Sequence, residues 1–486
     1  MKGKLLFLRK TKIALLITMA FVSFSACIDG YKDDWTFSSD VRGVTLESPK
    51  SEEIAFKPSP DGTTLKIEWP VVHGAGGYQF SLYIVDDPDN PKVVGKENEI
   101  VDGCSVERKL MDDTNYKVVV KTIGNSEYGN KDAATSTEAA YTTLVPTYAT
   151  IPEGDIAAWF ADNPIPTDKT EEELAYVLKA NGNYTLSAPV DFGKQKVTFR
   201  GEKIGHAKVK YGAEGRICTT AGLKIKFIDF DCSEVAGSSS TASLLLFSAT
   251  PNEDIKGKGD YYIISDPIVI QSCVITGIQS RLIYDNKKKY CPATLLINDC
   301  IVKLETTQEK SVIEFNQGFV NDMTIQNSTF WHTGEKDNSS VVQYNNSGRP
   351  DRAGFVRGSV NYLNNTFYHV CYNKNKWGNY SGFAGQKSVY WNMKKNIFVE
   401  CGKGQVARQF VGGRTGQITA SFDLNTYWYK GSVPEEELKY DISGTHFEAD
   451  PQFKDPKNGD FTVQGIGQLT ARTGDPRWLP EVPEEE

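Results

Sequence analysis

The chain has 486 residues, of which 39% are hydrophobic and 24% are charged, values typical of a globular protein with two or three domains. Its formal charge of −8 argues against a general nucleic-acid-binding protein, so no nucleic-acid partner is expected. The charge is uneven, because residues 281–430 contain 19 Lys and Arg against 11 Asp and Glu. An anionic partner can therefore bind one region of an acidic molecule.

The N-terminus has the order of a secretory signal. Residues 1–12 are basic, residues 13–24 are largely apolar, and Cys27 follows a Ser-Ala pair. The apolar run is shorter than the roughly 20 residues of a transmembrane helix. The pattern resembles a bacterial lipobox, which implies a lipoprotein signal peptide at 1–26, cleavage before Cys27 and acylation of that cysteine. An ordinary cleaved signal is the alternative.

Residues 27–40 are predicted to form an acylated tether. The sequence Lys32-Asp33-Asp34 resembles the acidic surface-export tag of Bacteroidota lipoproteins. This resemblance implies a lipid-anchored protein of the outer membrane that is exposed at the cell surface.

Short stretches of alternating apolar residues fill residues 41–145. In one of them, Leu65, Ile67 and Trp69 share a face, as expected for a strand. The segment around Tyr116 resembles the tyrosine-corner strand of a fibronectin type III module, and Trp69 matches the buried tryptophan of an early strand in that fold. The resemblance implies a β-sandwich that acts as a spacer.

Residues 146–180 are predicted to be a linker followed by a helical cap. The stretch "DKTEEELAYVLKANG" (168–182) has acidic residues first and then Leu174, Val177 and Leu178 at helical spacing. An amphipathic helix here would cover the open edge of the next domain.

A motif with fixed apolar positions recurs through the rest of the chain. It can be aligned on a small or polar residue, with apolar residues five and three positions before it and two after it. The aligned positions are Phe230, Cys273, Cys300, Ser328, Asn365, Asn396 and Asn425. From Cys273 the steps are 27, 28, 37, 31 and 29 residues. Such a period with alternating slots indicates a solenoid of strands, and hence a parallel β-helix over 181–486. The aligned residue is expected to break the alternation with a tight turn of left-handed geometry, which Asn tolerates. Stacked inward asparagines are expected to form a hydrogen-bonded ladder.

Two further segments resemble known β-helix proteins. "LKANGNYTLSAPVDFGKQKVTFRG" (178–201) resembles the first rung of a right-handed pectin-lyase-like β-helix. "FEADPQFKDPKNGDFTVQ" (447–464) resembles the C-terminal closure of exported Bacteroidota β-helix proteins. Together with the N-terminal features, they resemble surface lipoproteins of polysaccharide-utilisation loci. The implied fold is all-β, with a fibronectin type III-like β-sandwich followed by a right-handed parallel β-helix.

A second stack of strands runs between the aligned motifs. It consists of "RLIYDN" (281–286), "VIEFNQ" (312–317), "VVQYNN" (341–346) and "VARQFV" (406–411). Alternation predicts one outward column formed by Tyr284, Glu314, Gln343 and Arg408. Because neighbouring rungs are about 4.8 Å apart, such a column can follow an extended sugar chain. In pectin-lyase-like enzymes the corresponding face lines the substrate cleft.

Two main functions remain open from the sequence. The first is capture of a polysaccharide by amide, Arg and aromatic side chains. The local positive charge favours an anionic polymer, and the resemblance implies a pectin-like one. The predicted contacts are Tyr284, Glu314, Gln343, Tyr344, Asn345, Trp377, Tyr380, Arg408 and Arg414. This interpretation requires no cofactor. It leaves open an association with other glycan-uptake proteins.

The alternative is a polysaccharide lyase that cleaves a uronic-acid polymer by β-elimination. Arg408 would then be the base or carboxylate clamp, with Glu314 beside it. Ca²⁺ is an option for such an enzyme, but the column supplies only Glu314, with Asp285 one residue out of phase, and Ca²⁺ prefers several clustered oxygens. No metal site is predicted, because the cysteines show no zinc spacing. A purely structural or adhesive role is the third option.

Overall fold

The structure, a computed structural model, describes residues 41–59, 63–374, 376–413 and 418–481. The predicted signal peptide, the tether with Cys27, and Arg414 lie outside the described residues. The chain separates into two compact units, one ending at Leu144 and one beginning at Val145.

The first unit is a sandwich of two antiparallel sheets. The smaller sheet contains Ala55–Pro58, Thr64–Glu68 and Ser105–Lys109. The larger contains Lys92–Val93, Ala75–Ile84, Asn115–Gly124 and Thr137–Thr142, and Glu99–Val101 pairs with Ala75–Ile84. Short 3₁₀ turns lie at Ser51–Glu53 and Ser126–Tyr128.

Inward residues of both sheets share one core. Trp69 is buried and stacks on Phe80 at a centroid distance of 5.8 Å. The Tyr116 hydroxyl accepts a hydrogen bond of 2.7 Å from the Met111 backbone amide. A tyrosine bonded to backbone a few residues upstream has the geometry of a tyrosine corner.

The second unit is a right-handed parallel β-helix, as predicted. Each full rung contributes a strand to three long parallel sheets, here called sheets 1, 2 and 3. Sheet 1 contains Thr147–Ile151, Glu173–Leu178, Lys196–Arg200, Leu223–Lys226, Ile268–Gln271, Thr294–Asn298, Asp322–Gln326, Gly358–Leu363, Val389–Lys394 and Thr419–Asp423. Sheet 2 contains Gly154–Asp155, Asn183–Leu186, Ala207–Tyr211, Ile228–Asp231, Val274–Ile278, Ile301–Leu304, Thr329–His332, Thr366–Tyr368, Ile397–Val399 and Thr426–Trp428. Sheet 3 contains Pro189–Asp191, Arg216–Thr219, Ser243–Phe247, Arg281–Tyr284, Ile313–Glu314, Val342–Gln343 and Gly378–Asn379.

The remaining elements of this unit are short. Tyr262–Ile264 pairs with Tyr290–Pro292. The α-helices are Ile156–Asp162, Pro350–Ala353, Val406–Phe410, Glu435–Leu438 and Ile466–Ala471. The 3₁₀ turns are Glu253–Ile255, Lys258–Asp260, Gly402–Gly404, Pro456–Asn458 and Pro476–Trp478. Among the described residues, no helix has the length and apolar character needed to cross a membrane.

The predicted asparagine ladder is present at the turn from sheet 1 to sheet 2. The backbone amide of Asn365 donates to the side-chain oxygen of Asn396 on the next rung at 3.1 Å. The backbone amide of Asn396 donates in the same way to Asn425, also at 3.1 Å. Ser328 takes the same place on the preceding rung. The ladder ends on Asp441, whose carboxylate accepts a 3.3 Å bond from Asn425. All these side chains are buried, so the ladder satisfies polar groups that would otherwise be unpaired.

The left-handed turn residue lies one position before each ladder residue. Positive φ angles between 49° and 57° occur at Phe227, Ser272, Asp299, Asn327, Asn364, Lys395 and Leu424. The sequence prediction had placed the left-handed conformation at the ladder residue itself. The turn instead reverses the alternation one residue earlier, which directs the next side chain inward.

Two other predictions are corrected by the strand registers. Residues 168–182 do not form a helix, because Glu173–Leu178 is a buried strand of sheet 1, paired on both sides. The helix of this region is Ile156–Asp162. The first motif is also shifted by two residues, since Phe230 pairs with Ile275 and the position equivalent to Cys273 is therefore Ile228.

A C-terminal segment covers part of the outer face of sheet 2. The Thr329 hydroxyl donates to the Asp475 carboxylate at 2.8 Å, and the Trp478 indole donates to the same hydroxyl at 2.7 Å. Ile397 packs against Val463 and the end of this segment. The later rungs of sheet 2 are thereby partly shielded from solvent.

Candidate functional site

The outer face of sheet 3 carries the predicted column over three of its four positions. Tyr284 pairs with Glu314, and Glu314 with Gln343, on successive rungs. The next partner is Asn379, not Arg408. Gly378 precedes Asn379, and any side chain there would collide with the Tyr380 ring. The strand Gly378–Asn379 thus supplies the last rung of sheet 3.

Arg408 lies on a helix instead of a strand. Residues Val406–Phe410 form one helical turn beside the Gly378–Asn379 strand, because the pattern Val406, Ala407, Phe410 matches helical spacing. The buried Glu437 carboxylate accepts hydrogen bonds from the Val406 and Ala407 backbone amides at 2.5 and 2.6 Å. Arg408 itself is 40% exposed and pairs with Glu436 at 3.2 Å. It lies beside the column without belonging to it.

Tyr284 and Glu314 are covered, which contradicts their predicted direct contact with a sugar. They are only 2% and 4% exposed. The Arg281 guanidinium lies 4.1 Å from the Tyr284 ring centroid and donates to the Glu314 carboxylate at 2.8 Å. Both members of this ion pair are buried. Glu314 is therefore held as the partner of Arg281, and Arg408 pairs with a different carboxylate, Glu436.

Four half-buried amides, here called the amide row, form the accessible part of this face: Asn316, Gln343, Asn345 and Asn379. Asn316 donates to Glu314 at 2.7 Å and accepts from Gln343 at 3.1 Å. Asn345 donates to the Gly318 carbonyl at 2.8 Å. The row spans three rungs, about 10 Å at the usual strand spacing. Since each amide both donates and accepts, it presents ordered hydrogen-bonding groups to a ligand.

The predicted aromatic platforms are core residues. Tyr344, Trp377 and Tyr380 are at most 1% exposed. Trp377 packs edge-on against Phe367 at 4.9 Å. Burial of large aromatic rings inside the coil stabilises the stack by removing apolar surface from water. These three rings cannot stack on a sugar.

The sequence pattern did not indicate Arg281 or Asn379 as residues of this face. Arg281 is the first residue of the strand that contains Tyr284. The two residues after it both point inward, so a simple alternating pattern would wrongly place Arg281 on the inner face. Asn379 is in a strand of only two residues, too short to give a periodic signal.

A neighbouring carboxylate, Asp285, has a structural role. Burial raises its pKa to about 6, against the opposing effect of backbone hydrogen bonds from Gln317 and Gly318 at 2.7 and 2.9 Å. Among the described residues no cluster of three or more His, Cys, Asp or Glu side chains is placed to hold a metal ion. The two carboxylates of this face are engaged within the protein, Glu314 by Arg281 and Asp285 by backbone amides.

Comparison with known proteins gives three family matches, each described as a domain of unknown function. They cover residues 1–181 (DUF4992), 182–333 (DUF4957) and 360–478 (DUF5123). No curated protein matches the sequence.

Solved structures similar to the chain are pectate lyases. Pectate lyase PelI from Erwinia chrysanthemi is 10% identical, with a TM-score of 0.19 over 78% of this chain and 89% of its own. The structure of this enzyme in complex with tetragalacturonic acid is 9% identical, with a TM-score of 0.18 over 78% of this chain and 89% of its own. Pectate lyase Pel3 from Pectobacterium carotovorum is 10% identical, with a TM-score of 0.16 over 76% and 89%.

Proposed function

We propose that the protein binds a polysaccharide on the outer face of sheet 3 without cleaving it. The observation that carries this proposal is the amide row: Gln343 and Asn379 lie on strands of sheet 3, Asn316 and Asn345 lie two residues after such strands, and all four are partly open to solvent. Polysaccharide hydroxyls can donate to and accept from these amides. Residues 281–430 carry 19 Lys and Arg against 11 Asp and Glu, and this local excess of positive charge favours a polymer with carboxylate groups.

Binding is favoured over β-elimination by the state of the two predicted catalytic residues. Glu314 is buried in an ion pair, and Arg408 is engaged by Glu436. A lyase base must reach the proton that it removes within hydrogen-bond distance. Neither side chain is free for that role in this arrangement.

The proposal includes the location of the protein. Acylation at Cys27 would attach the chain to the outer membrane, with the sandwich unit as a fibronectin type III-like spacer. Captured polysaccharide would then be held close to the cell surface, where other glycan-uptake proteins could receive it.

Affinity electrophoresis in gels containing polygalacturonate tests the site. The mature chain (residues 27–486, with Cys27→Ser) is expected to be retarded, and a Gln343→Ala/Asn345→Ala variant should bind about tenfold more weakly, the effect of losing one or two hydrogen bonds. Asn392→Ala, an amide on the outer face of sheet 1, is the matched control. If the mature chain, the double variant and the control were equally retarded, the polysaccharide would bind outside the amide row.

A parallel assay separates binding from cleavage. The same proteins are incubated with polygalacturonate, with and without Ca²⁺, and the absorbance of unsaturated product is followed. Retardation without product is the expected result. Product that disappears in Arg408→Ala would instead establish the lyase.

A further inference from the structure

A second open surface lies on the outer face of sheet 2, away from the amide row. It is a groove of about 490 Å³ over five successive strands, from Gly154–Asp155 to Val274–Ile278, here called the sheet 2 groove. The groove occupies the early rungs, whereas the C-terminal segment covers the same face from Thr329 onward. One column of outward residues runs without interruption from the sheet 2 groove to the rungs that the C-terminal segment covers.

The character of the face changes where the C-terminal segment stops. On the covered rungs the outward residues include Trp331, Tyr368 and Val399, which pack against that segment or its neighbours. On the open rungs the same two columns hold charged, amide and hydroxyl side chains, with Val274 as the apolar member. The open part is therefore not suited to another apolar segment of this kind.

Two columns of outward side chains, polar except for Val274, line the groove in register. Lys208 pairs with Asp229 on the next rung, and Lys210 with Asp231. Asn183 and Thr185 precede the lysines, and Val274 and Thr276 follow the aspartates; these residues are paired across the strands in the same two columns. The four rungs span about 14 Å at the usual strand spacing.

The charges of the groove are nearly balanced. Lys210 pairs with Glu234 at 2.6 Å, and Asp229 with His206 at 2.9 Å. Lys208 is exposed, and none of the described residues forms an ion pair with it. A polyanion would meet the aspartates as well as the lysines, so electrostatics favour an uncharged ligand.

The hydrogen-bonding chemistry indicates the class of that ligand. Ammonium groups only donate and carboxylates only accept, and here a rung of donors lies about 4.8 Å from a rung of acceptors. Hydroxyl groups do both, so adjacent hydroxyls of one sugar can accept from Lys208 and donate to Asp229. Val274 adds a half-buried apolar contact for the C–H groups of a sugar ring.

We propose that the sheet 2 groove is a binding site for a neutral oligosaccharide. It is separate from the amide row, differs from it in ligand charge and does not depend on it. A molecule that binds one polymer on sheet 3 and a neutral glycan on sheet 2 can hold two components of a mixed polysaccharide.

The test uses the mature chain (Cys27→Ser) with neutral galactomannan, xyloglucan and arabinan in affinity gels. Retardation by at least one of them is expected, and Lys208→Ala and Asp229→Asn should each weaken it about tenfold, as for loss of a hydrogen bond to a charged group. Lys394→Ala, on the outer face of sheet 1, is the control. No retardation by any neutral glycan, or retardation unchanged in both groove variants, would overturn the proposal.

A second measurement uses the unsubstituted groove. Acetylation of lysines is followed by mass spectrometry with and without the retarding glycan, and protection of Lys208 but not of Lys394 is expected. Poly-glutamate serves as the probe for an acidic peptide. Protection of Lys208 by poly-glutamate but by no neutral glycan would identify a peptide site and refute the proposal. Polygalacturonate binding by the Gln343 and Asn345 variants reports on the amide row, whereas neutral-glycan binding reports on the sheet 2 groove. A negative result for one site therefore does not refute the other.

Discussion

Replacing Asn396 with alanine should destabilise the β-helix unit strongly. The Asn396 side-chain oxygen accepts from the Asn365 backbone amide at 3.1 Å and from the Asn365 side chain at 3.0 Å. Its nitrogen donates to the Tyr362 carbonyl at 2.8 Å. After the substitution the Asn365 side chain keeps its bond to the Ile325 carbonyl, but the Asn365 backbone amide has no other hydrogen-bond acceptor in the ladder.

The magnitude follows from that orphaned amide. A buried donor without an acceptor costs about 1–3 kcal/mol, and the smaller alanine side chain adds a small cavity term. We expect a loss of about 2–4 kcal/mol in the free energy of unfolding. Asn396→Ser should be milder, because Ser328 accepts from the Cys300 amide at 3.0 Å on an earlier rung.

Urea unfolding followed by circular dichroism measures the loss, and hydrogen exchange of the Asn365 amide locates it. The control is Asn392→Ala in the same strand, whose half-buried side chain faces outward and makes one bond of 2.7 Å to Asn361. It should cost less than about 1 kcal/mol. If Asn392→Ala were as destabilising as Asn396→Ala, the account of the ladder would be wrong.

Three further outcomes are expected. Arg281→Met should cost about 3–5 kcal/mol in urea unfolding, because Glu314 would remain as an unpaired buried charge, and Arg281→Met/Glu314→Leu should recover much of that loss; no recovery would contradict the ion-pair account. Burial raises the pKa of Glu437 to about 8 from 4.5, so the folded state binds the proton of this carboxyl group more tightly than the unfolded state. The unfolding free energy should therefore fall as the pH rises from about 4.5 through 8. Glu437→Gln should flatten this part of the plot of unfolding free energy against pH, and an unchanged slope would assign the pH dependence to other groups. Trp377→Ala should lower the unfolding free energy by about 3–5 kcal/mol, and loss of polygalacturonate retardation without loss of stability would show instead that the ring contacts sugar.

The sequence alone determined the class of fold and most of its inner surface. Fixed apolar slots at a period near 30 residues leave few alternatives to a coil of strands, because each strand must bury the same face in every turn. The registers Met323–Val360 and Val360–Trp391 follow directly from that alignment. Trp391 is buried as the alternation requires.

Only the tertiary structure decided what the outer face presents. Whether an outward side chain is open depends on residues distant in the chain: Arg281 covers Tyr284, and Glu437 holds the helix that removes Arg408 from the column. Short elements such as Gly378–Asn379 carry too few residues for a periodic signal, so their rung is fixed by pairing with Val342–Gln343. Inward positions repeat because every turn meets the same core, whereas outward positions meet loops that differ from rung to rung.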